Sequence, residues 1–346
     1  MTLRRTLLPL IALALLCAGC GAKSDGTSAG SGKTEPLTVM LDWFPNADHA
    51  GLYAAQASGE YKRAGLDVKF LTPSDAATPL KLLQAGRVDL AVSYQPDVLL
   101  ARDKGADVVS VGALVQKPLT SLMSLGNHAI TSPKQLAGKT VGTAGIPYQS
   151  AYLRTILEKA GVDPGAVKEV NVGFNLTSAM VSKKVDATIG AFWNVEGVEL
   201  QRAGRKPQIL RMEDLGVPTY NELVVAARQR DLDEATASKV RRFLQATARG
   251  YALVKADPAK GVDALLGADK GLNRGLTTAQ VKATIPVFFP AHDQPFGWQE
   301  PAQWAAYEQW MRANGLIKPP ARGERAPLTN EFLPGQGLDQ GTSGLE

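Results

Sequence analysis

The 346-residue chain has almost no cysteine: Cys17 and Cys20 are its only two, both within the first twenty positions. A body free of cysteine excludes disulfide staples, a thiolate nucleophile and Cys-based metal sites. Histidine is nearly as scarce. His49, His128 and His292 stand far apart with no ligating spacing, so no metal is expected. Ser-His-Asp, HExxH, Walker-type and GxGxxG patterns are missing, and with them any expected catalytic residue or cofactor. Charge of one sign is lacking as well: 38 Lys and Arg face 33 Asp and Glu. Setting Arg4 and Arg5 aside leaves 36 against 33, an excess too small and too scattered for a nucleic-acid partner. No self-complementary patch stands out, and a monomer is expected.

What is present is ordinary globular composition, 45% hydrophobic and 21% charged, over a length that exceeds a single core and calls for two lobes. The first twenty residues carry the sharpest local signal. Arg4 and Arg5 precede a short apolar core, Leu7 to Leu16, which is too short to span a bilayer, and Cys17-Ala18-Gly19-Cys20 offers small residues ending in cysteine. This resembles a bacterial lipoprotein signal. It implies a signal peptide over 1–19, lipidation of Cys20, and a protein exported and anchored at the extracytoplasmic face of the bacterial membrane. Residues 20–35, rich in Gly and Ser, read as the lipidated cysteine and a flexible tether.

From Pro36 short apolar strands alternate with amphipathic helices, the signature of βαβ units. Strands are expected at Leu37–Leu41, Leu66–Leu71 and Val88–Val92, with helices at His49–Ala64 and Thr78–Gln84, and a further apolar run, Val108–Val115, follows. The scheme restarts after Ser121, with a strand entry at Gly138–Gly142, a helix at Gln149–Ala160, strands at Val167–Val172 and Ala187–Ala191, and a helix at Leu176–Val181. A strand at Leu223–Ala227 follows, then helices within Leu232–Lys255, Thr277–Ile285 and Gln303–Asn314. Ala85–Val92 echoes Ser182–Ile189, each a helix end, a basic turn, Val-Asp and a buried strand. Asp89 and Asp186 therefore read as strand-entry residues. The expected division is lobe 1 over 36–121 plus 222–317, an inserted lobe 2 over 122–221, and a loosely packed Pro/Gly-rich tail over 318–346. Two crossings between lobes suit hinge closure on a ligand.

Ligands of open α/β sheets collect where strands end and helices begin. Four such segments stand out: Asp42–Asn46, Ser93–Asp97, Phe192–Glu196 and Pro218–Glu222. Each joins a large aromatic to amides or carboxylates, which suits a flat heteroaromatic ring with N–H donors. The candidates are Asp42, Trp43, Asn46, Tyr94, Trp193, Asn194, Glu196, Tyr220 and Glu222. Tyr148 joins them, at the end of the glycine-containing turn Gly142–Tyr148.

These residues carry a resemblance to the NMT1/THI5-like group, which binds thiamine pyrimidine precursors. It runs from Pro36 to about Asn314, through Leu41-Asp42-Trp43-Phe44-Pro45-Asn46, Gly59–Val68, Leu136–Gly142 and Gly190–Gly197. It implies an α/β, two-lobed type II periplasmic binding protein fold with a ligand cleft between the lobes. It also implies a solute-binding role beside an ABC permease and its ATPase, with an aminopyrimidine stacked on Trp43. Riboflavin, another flat heterocycle or a sulfonate-like anion remain alternative ligands. Where a eukaryotic synthase of the family has its cofactor lysine and substrate histidine, this chain shows Ser93 and Asp97, and the cysteine-rich loop has no counterpart near Val217–Glu222. Synthase activity is not expected.

Overall fold

The alternating strands and helices assemble, in a computed structural model, into two five-stranded sheets. The structure describes residues 34–126, 129–291, 293–319 and 325–336. The expected signal, Cys20, most of the tether, His128 and His292 lie outside these residues. Glu35 and Pro36, the expected end of the tether and its successor, already belong to a strand.

In the first sheet β1 (Glu35–Met40) runs parallel to β2 (Leu66–Leu71), with Glu35 opposite Leu66. The helix expected over 49–64 is in pieces: α1 (Ala50–Ala57) and α2 (Glu60–Arg63) are parted by Gly59 at φ 78°, a left-handed conformation that glycine adopts without steric cost. α3 (Thr78–Gln84) leads to β3 (Leu90–Ser93), also parallel to β1, and α4 (Gln95–Asp103) leads to β4 (Val108–Val115). Every residue of β4 is buried, as its unbroken apolar run demands of a strand covered on both faces.

The chain then builds the second sheet from β5 (Thr120–Leu125), β6 (Thr140–Thr143), α5 (Pro147–Lys159), β7 (Lys168–Asn171), α6 (Leu176–Val181), β8 (Ala187–Phe192), α7 (Glu196–Arg202) and β9 (Pro207–Arg211). It returns through β10 (Leu223–Arg228) and closes with α8 (Glu234–Ala256), α9 (Pro258–Ala268), α10 (Arg274–Thr284) and α11 (Pro301–Ala313). No described helix is long and apolar enough to cross a membrane.

The two sheets share one plan. Their orders are β2-β1-β3-β10-β4 and β7-β6-β8-β5-β9, three parallel strands followed by an antiparallel fourth and then a fifth. Each fourth strand is the one that enters from the other half of the chain. The short echo in sequence is a true structural equivalence: the Asp89 carboxylate accepts from the Thr38 amide at 2.7 Å, and Asp186 accepts from the Thr140 amide at 2.8 Å. Both aspartates join the entry of a sheet's third strand to its second.

Two expectations need correction. The chain enters the second sheet at Thr120, so Thr120 and Ser121, assigned to the first lobe on sequence, pair with β8. Of the supposedly loose tail, residues 325–336 are packed on the first sheet. The amide of Ser110 donates to the Pro327 carbonyl, the amide of Thr329 donates to that of Ser110, and Phe332 and Leu333 are buried. Gly112 makes room there, because a Cβ would stand 3.1 Å from Leu333 Cδ2.

Helices α1 and α8 touch backbone to backbone. A Cβ built on Gly250 would lie 2.2 Å from the Gly51 carbonyl oxygen and 2.6 Å from Ala55 Cβ. Gly250→Ala should therefore force the helices apart and destabilise the fold by about 1–3 kcal/mol or more. Urea unfolding measures this, and an unchanged midpoint would contradict so close an approach.

Candidate functional site

The carboxyl ends of the parallel strands converge on one small cavity. From the first sheet come Asp42, Trp43 and Asn46, which follow β1, and Tyr94, which follows β3. The second sheet contributes Ile146, Tyr148 and Gln149 at the start of α5, Leu176 at the start of α6, and Gly190, Phe192, Val195 and Glu196 around the end of β8. The cavity volume is about 20 Å³, room for roughly one water molecule and far less than the ~150 Å³ that holds a benzene ring. A ring-sized ligand enters only if the walls part.

Asp42 is buried and fully engaged. Its Oδ1 meets His49 Nε2 at 2.8 Å and its Oδ2 accepts from the Tyr94 hydroxyl at 2.8 Å. The His49 Nδ1 accepts from the Asn46 amide at 3.4 Å, which assigns the proton to Nε2 and makes His49 a donor to Asp42. The three groups hold the Asp42 carboxylate rigid at the cavity wall. Trp43 packs edge-on against Phe174, in the turn between β7 and α6, ring centres 4.4 Å apart, and the half-exposed Phe44 meets the same ring at 4.6 Å. Asn46 caps the turn Ala47–His49, accepting from the Asp48 amide.

On the opposite wall Glu196 accepts from the Phe192 amide at 2.7 Å. Burial pushes its carboxyl up to about 7, against the opposing pull of that backbone donor. Gln149 accepts from the Ala144 amide at 2.7 Å, so this amide of the glycine-containing turn is already taken. Gly190 sits at φ 118°, and a Cβ there would stand 2.3 Å from Gln149 Nε2, so glycine is what lets Gln149 lie across the strand end.

Four of the ten sequence candidates lie outside the cavity wall. Trp193 turns away, its Nε1 donating to the Pro118 carbonyl and its ring stacked under the Arg211 guanidinium at 4.1 Å. Asn194 is buried and donates to Asp48 and Thr284. Tyr220 and Glu222 belong to the crossings. The Glu222 carboxylate accepts from the Leu119 and Thr120 amides at 2.6 and 2.8 Å, from the Thr120 and Tyr220 hydroxyls at 2.9 and 3.1 Å, and from Tyr148 at 3.4 Å. Leu119–Thr120 lies on the first crossing and Tyr220–Glu222 on the second, so one carboxylate pins both. Burial pushes it up to about 7 despite these donors. A ladder of tyrosine rings, Tyr94, Tyr148, Tyr152, Tyr220 and Tyr307, runs from the cavity to this point with centres 5.2–5.9 Å apart.

Six of the ten candidates, Asp42, Trp43, Asn46, Tyr94, Tyr148 and Glu196, do line the cavity. Sequence reasoning missed Gln149 and Phe192. Gln149 directly follows the turn Gly142–Tyr148 and Phe192 opens the segment Phe192–Glu196, so scanning one residue beyond Tyr148, and weighing Phe192 as well as Trp193, would have found them. No Lys or Arg lines the cavity, and no cluster of metal-ligating side chains exists among the described residues.

Glu196 and Glu222 are both held near 7, above the ordinary 4.5. The folded state therefore binds their protons more tightly than the unfolded chain, and stability should fall as pH rises from about 4.5 to about 7. Calorimetry across this window should show a declining Tm in the wild type and a flatter profile in Glu196→Gln. A Tm that climbs through the window would sink this reading of the two buried acids.

Residues 46–261 match the family described as NMT1/THI5 like. The chain is 33% identical over 92% of its length, and 97% of the relative's, to a formylaminopyrimidine-binding protein of Halalkalibacterium halodurans. It is 29% identical over 73% of its length, and 79% of the relative's, to a 4-amino-5-hydroxymethyl-2-methylpyrimidine phosphate synthase of Legionella pneumophila. In fold it resembles the alkanesulfonate-binding protein SsuA of Xanthomonas axonopodis pv. citri, with a TM-score of 0.64 at 19% identity, covering 82% of this chain and 94% of that one. The extent of the family match and the full-length relative together establish that this chain belongs to the NMT1/THI5-like family.

Proposed function

We propose that this protein is the solute-binding component of an ABC importer and carries a thiamine pyrimidine precursor of the formylaminopyrimidine or hydroxymethylpyrimidine type. The observation that carries this reading is the chemistry of the cavity: aromatic rings of Trp43, Tyr94, Tyr148 and Phe192 beside the carboxyls of Asp42 and Glu196, with no cation in the wall. An aminopyrimidine offers a flat π-face and exocyclic N–H donors, which such walls complement. A sulfonate brings a full negative charge into a space ringed by acids with no Arg or Lys to receive it, a repulsive arrangement. The binding protein of Halalkalibacterium halodurans supports the same ligand class.

Binding without turnover is favoured over synthase chemistry. Ser93 and Asp97 stand where the resemblance places a cofactor lysine and a substrate histidine. Ser93 is buried at the end of β3 and offers no amine for an aldimine. Closure of two sheets joined by two crossings suits capture and delivery to a permease with its own ATPase. Export and anchoring through Cys20 would set the protein at the extracytoplasmic face of the membrane.

The test is calorimetric titration of the chain from Gly21 onward with a formylaminopyrimidine and, separately, an alkanesulfonate. The pyrimidine should bind and the sulfonate should not. Trp43→Ala should weaken binding at least about tenfold while leaving the circular dichroism unchanged, because the stacking face is lost. Sulfonate binding without pyrimidine binding would overturn the assignment.

A further inference from the structure

Asp48 follows β1 of the first sheet and Asn194 follows β8 of the second, and the two meet away from solvent, both completely buried. Asn194 Nδ2 donates to Asp48 Oδ1 at 2.6 Å and to Thr284 Oγ1 at 2.7 Å. The Thr284 hydroxyl proton is committed to the Gln280 carbonyl at 2.8 Å, so its oxygen is free to accept. That fixes the orientation of the Asn194 amide, with nitrogen toward Thr284 and Asp48. Two atoms are then left buried without a partner, Oδ2 of Asp48 and Oδ1 of Asn194. Both are acceptors, and each is the second heteroatom of a group whose first is already bonded to the other residue. Left orphaned, each would carry the full desolvation penalty of a buried polar atom with no partner.

One proton satisfies both. We propose that Asp48 is a neutral carboxylic acid whose Oδ2–H donates to Asn194 Oδ1, closing a two-bond acid–amide clasp between the segments that follow β1 and β8. The surroundings agree. Asp42, Glu196 and Glu222 all bear on Asp48 with charge of its own sign, His49 is engaged with Asp42, and the Tyr251 hydroxyl is given to the Asp48 carbonyl. Among the described residues the charges that bear on it are all acidic. Burial first, and these carboxylates after it, drive the acid well above its ordinary range, against the Asn194 hydrogen bond.

Two measurements on the full chain test the clasp. Carbon-13 NMR of aspartate-labelled wild type should show one side-chain carboxyl that keeps the shift of the protonated form at neutral pH and disappears in Asp48→Asn. An amide at 48 reproduces the acid's donor and acceptor without a proton to lose. Asp48→Asn should therefore retain the wild-type Tm near pH 6 and lose less of it than the wild type on going to about pH 9, because a raised acid forfeits its stabilisation as pH climbs through its folded value. Asp48→Ala, which removes both bonds, should lose several degrees at every pH. The proposal is overturned by a carboxylate shift for Asp48 at neutral pH, or by Asp48→Asn falling as far as Asp48→Ala. Neither readout requires a ligand, so it stands or falls independently of the pyrimidine assignment.

Discussion

One buried carboxylate ties together the two crossings between the sheets. Glu222 takes amide hydrogens from Leu119 and Thr120 on one crossing and a hydroxyl from Tyr220 on the other, with Thr120 and Tyr148 completing its shell. Desolvating a carboxylate is expensive, and only a full set of donors makes the position tolerable. Tyr148 connects this point to the cavity, since it lines the wall with its ring while its hydroxyl reaches Glu222. The position of the second sheet's cavity-lining residues is thus tied to the carboxyl at the crossings, and any repacking of the tyrosine ladder is felt at the cavity.

The cavity itself is built on scarcity of positive charge. Asp42 is held by a histidine and a tyrosine in place of a lysine or arginine, and Glu196 by a backbone amide. Neither carboxyl is held by a Lys or Arg, and burial rather than an ion pair governs Glu196, whose carboxyl is pushed up to about 7. A salt bridge at either position would compete with the ligand for the same oxygens.

Much of this was legible in the sequence because periodicity and punctuation agreed. Gly65, Gly86 and Gly161, each at positive φ, stand just past the ends of α2, α3 and α5, and the Val-Asp echo marked equivalent strands whose aspartates make matching bonds. β5 and β9 were not legible, since TSLMSL and PQILR are short and half polar, and they gain their strand character from being paired on neighbours. In the site, the strand-end rule located Asp42, Trp43, Tyr94 and Glu196 but could not say which of two consecutive residues faces inward. Phe192 lines the cavity while Trp193 is drawn aside by Pro118 and Arg211, a choice made by tertiary contacts. Glu222 shows the same limit: a carboxylate beside a tyrosine reads as a ligand group until the crossing amides that claim it are seen.

The late return of β10 to the first sheet also orders assembly in time. The second sheet is drawn from one stretch, Thr120 to Arg211, and has all its strands once that stretch exists. The first sheet lacks β10, which lies between β3 and β4, until residues 223–228 follow, and the segment that covers Ser110 comes a hundred residues later still. As the chain emerges from its N-terminus, β4 has a missing neighbour for the whole time the second sheet is being completed. The half that begins the chain is therefore the last to finish, with a gap in its sheet exposed to pairing errors until β10 fills it.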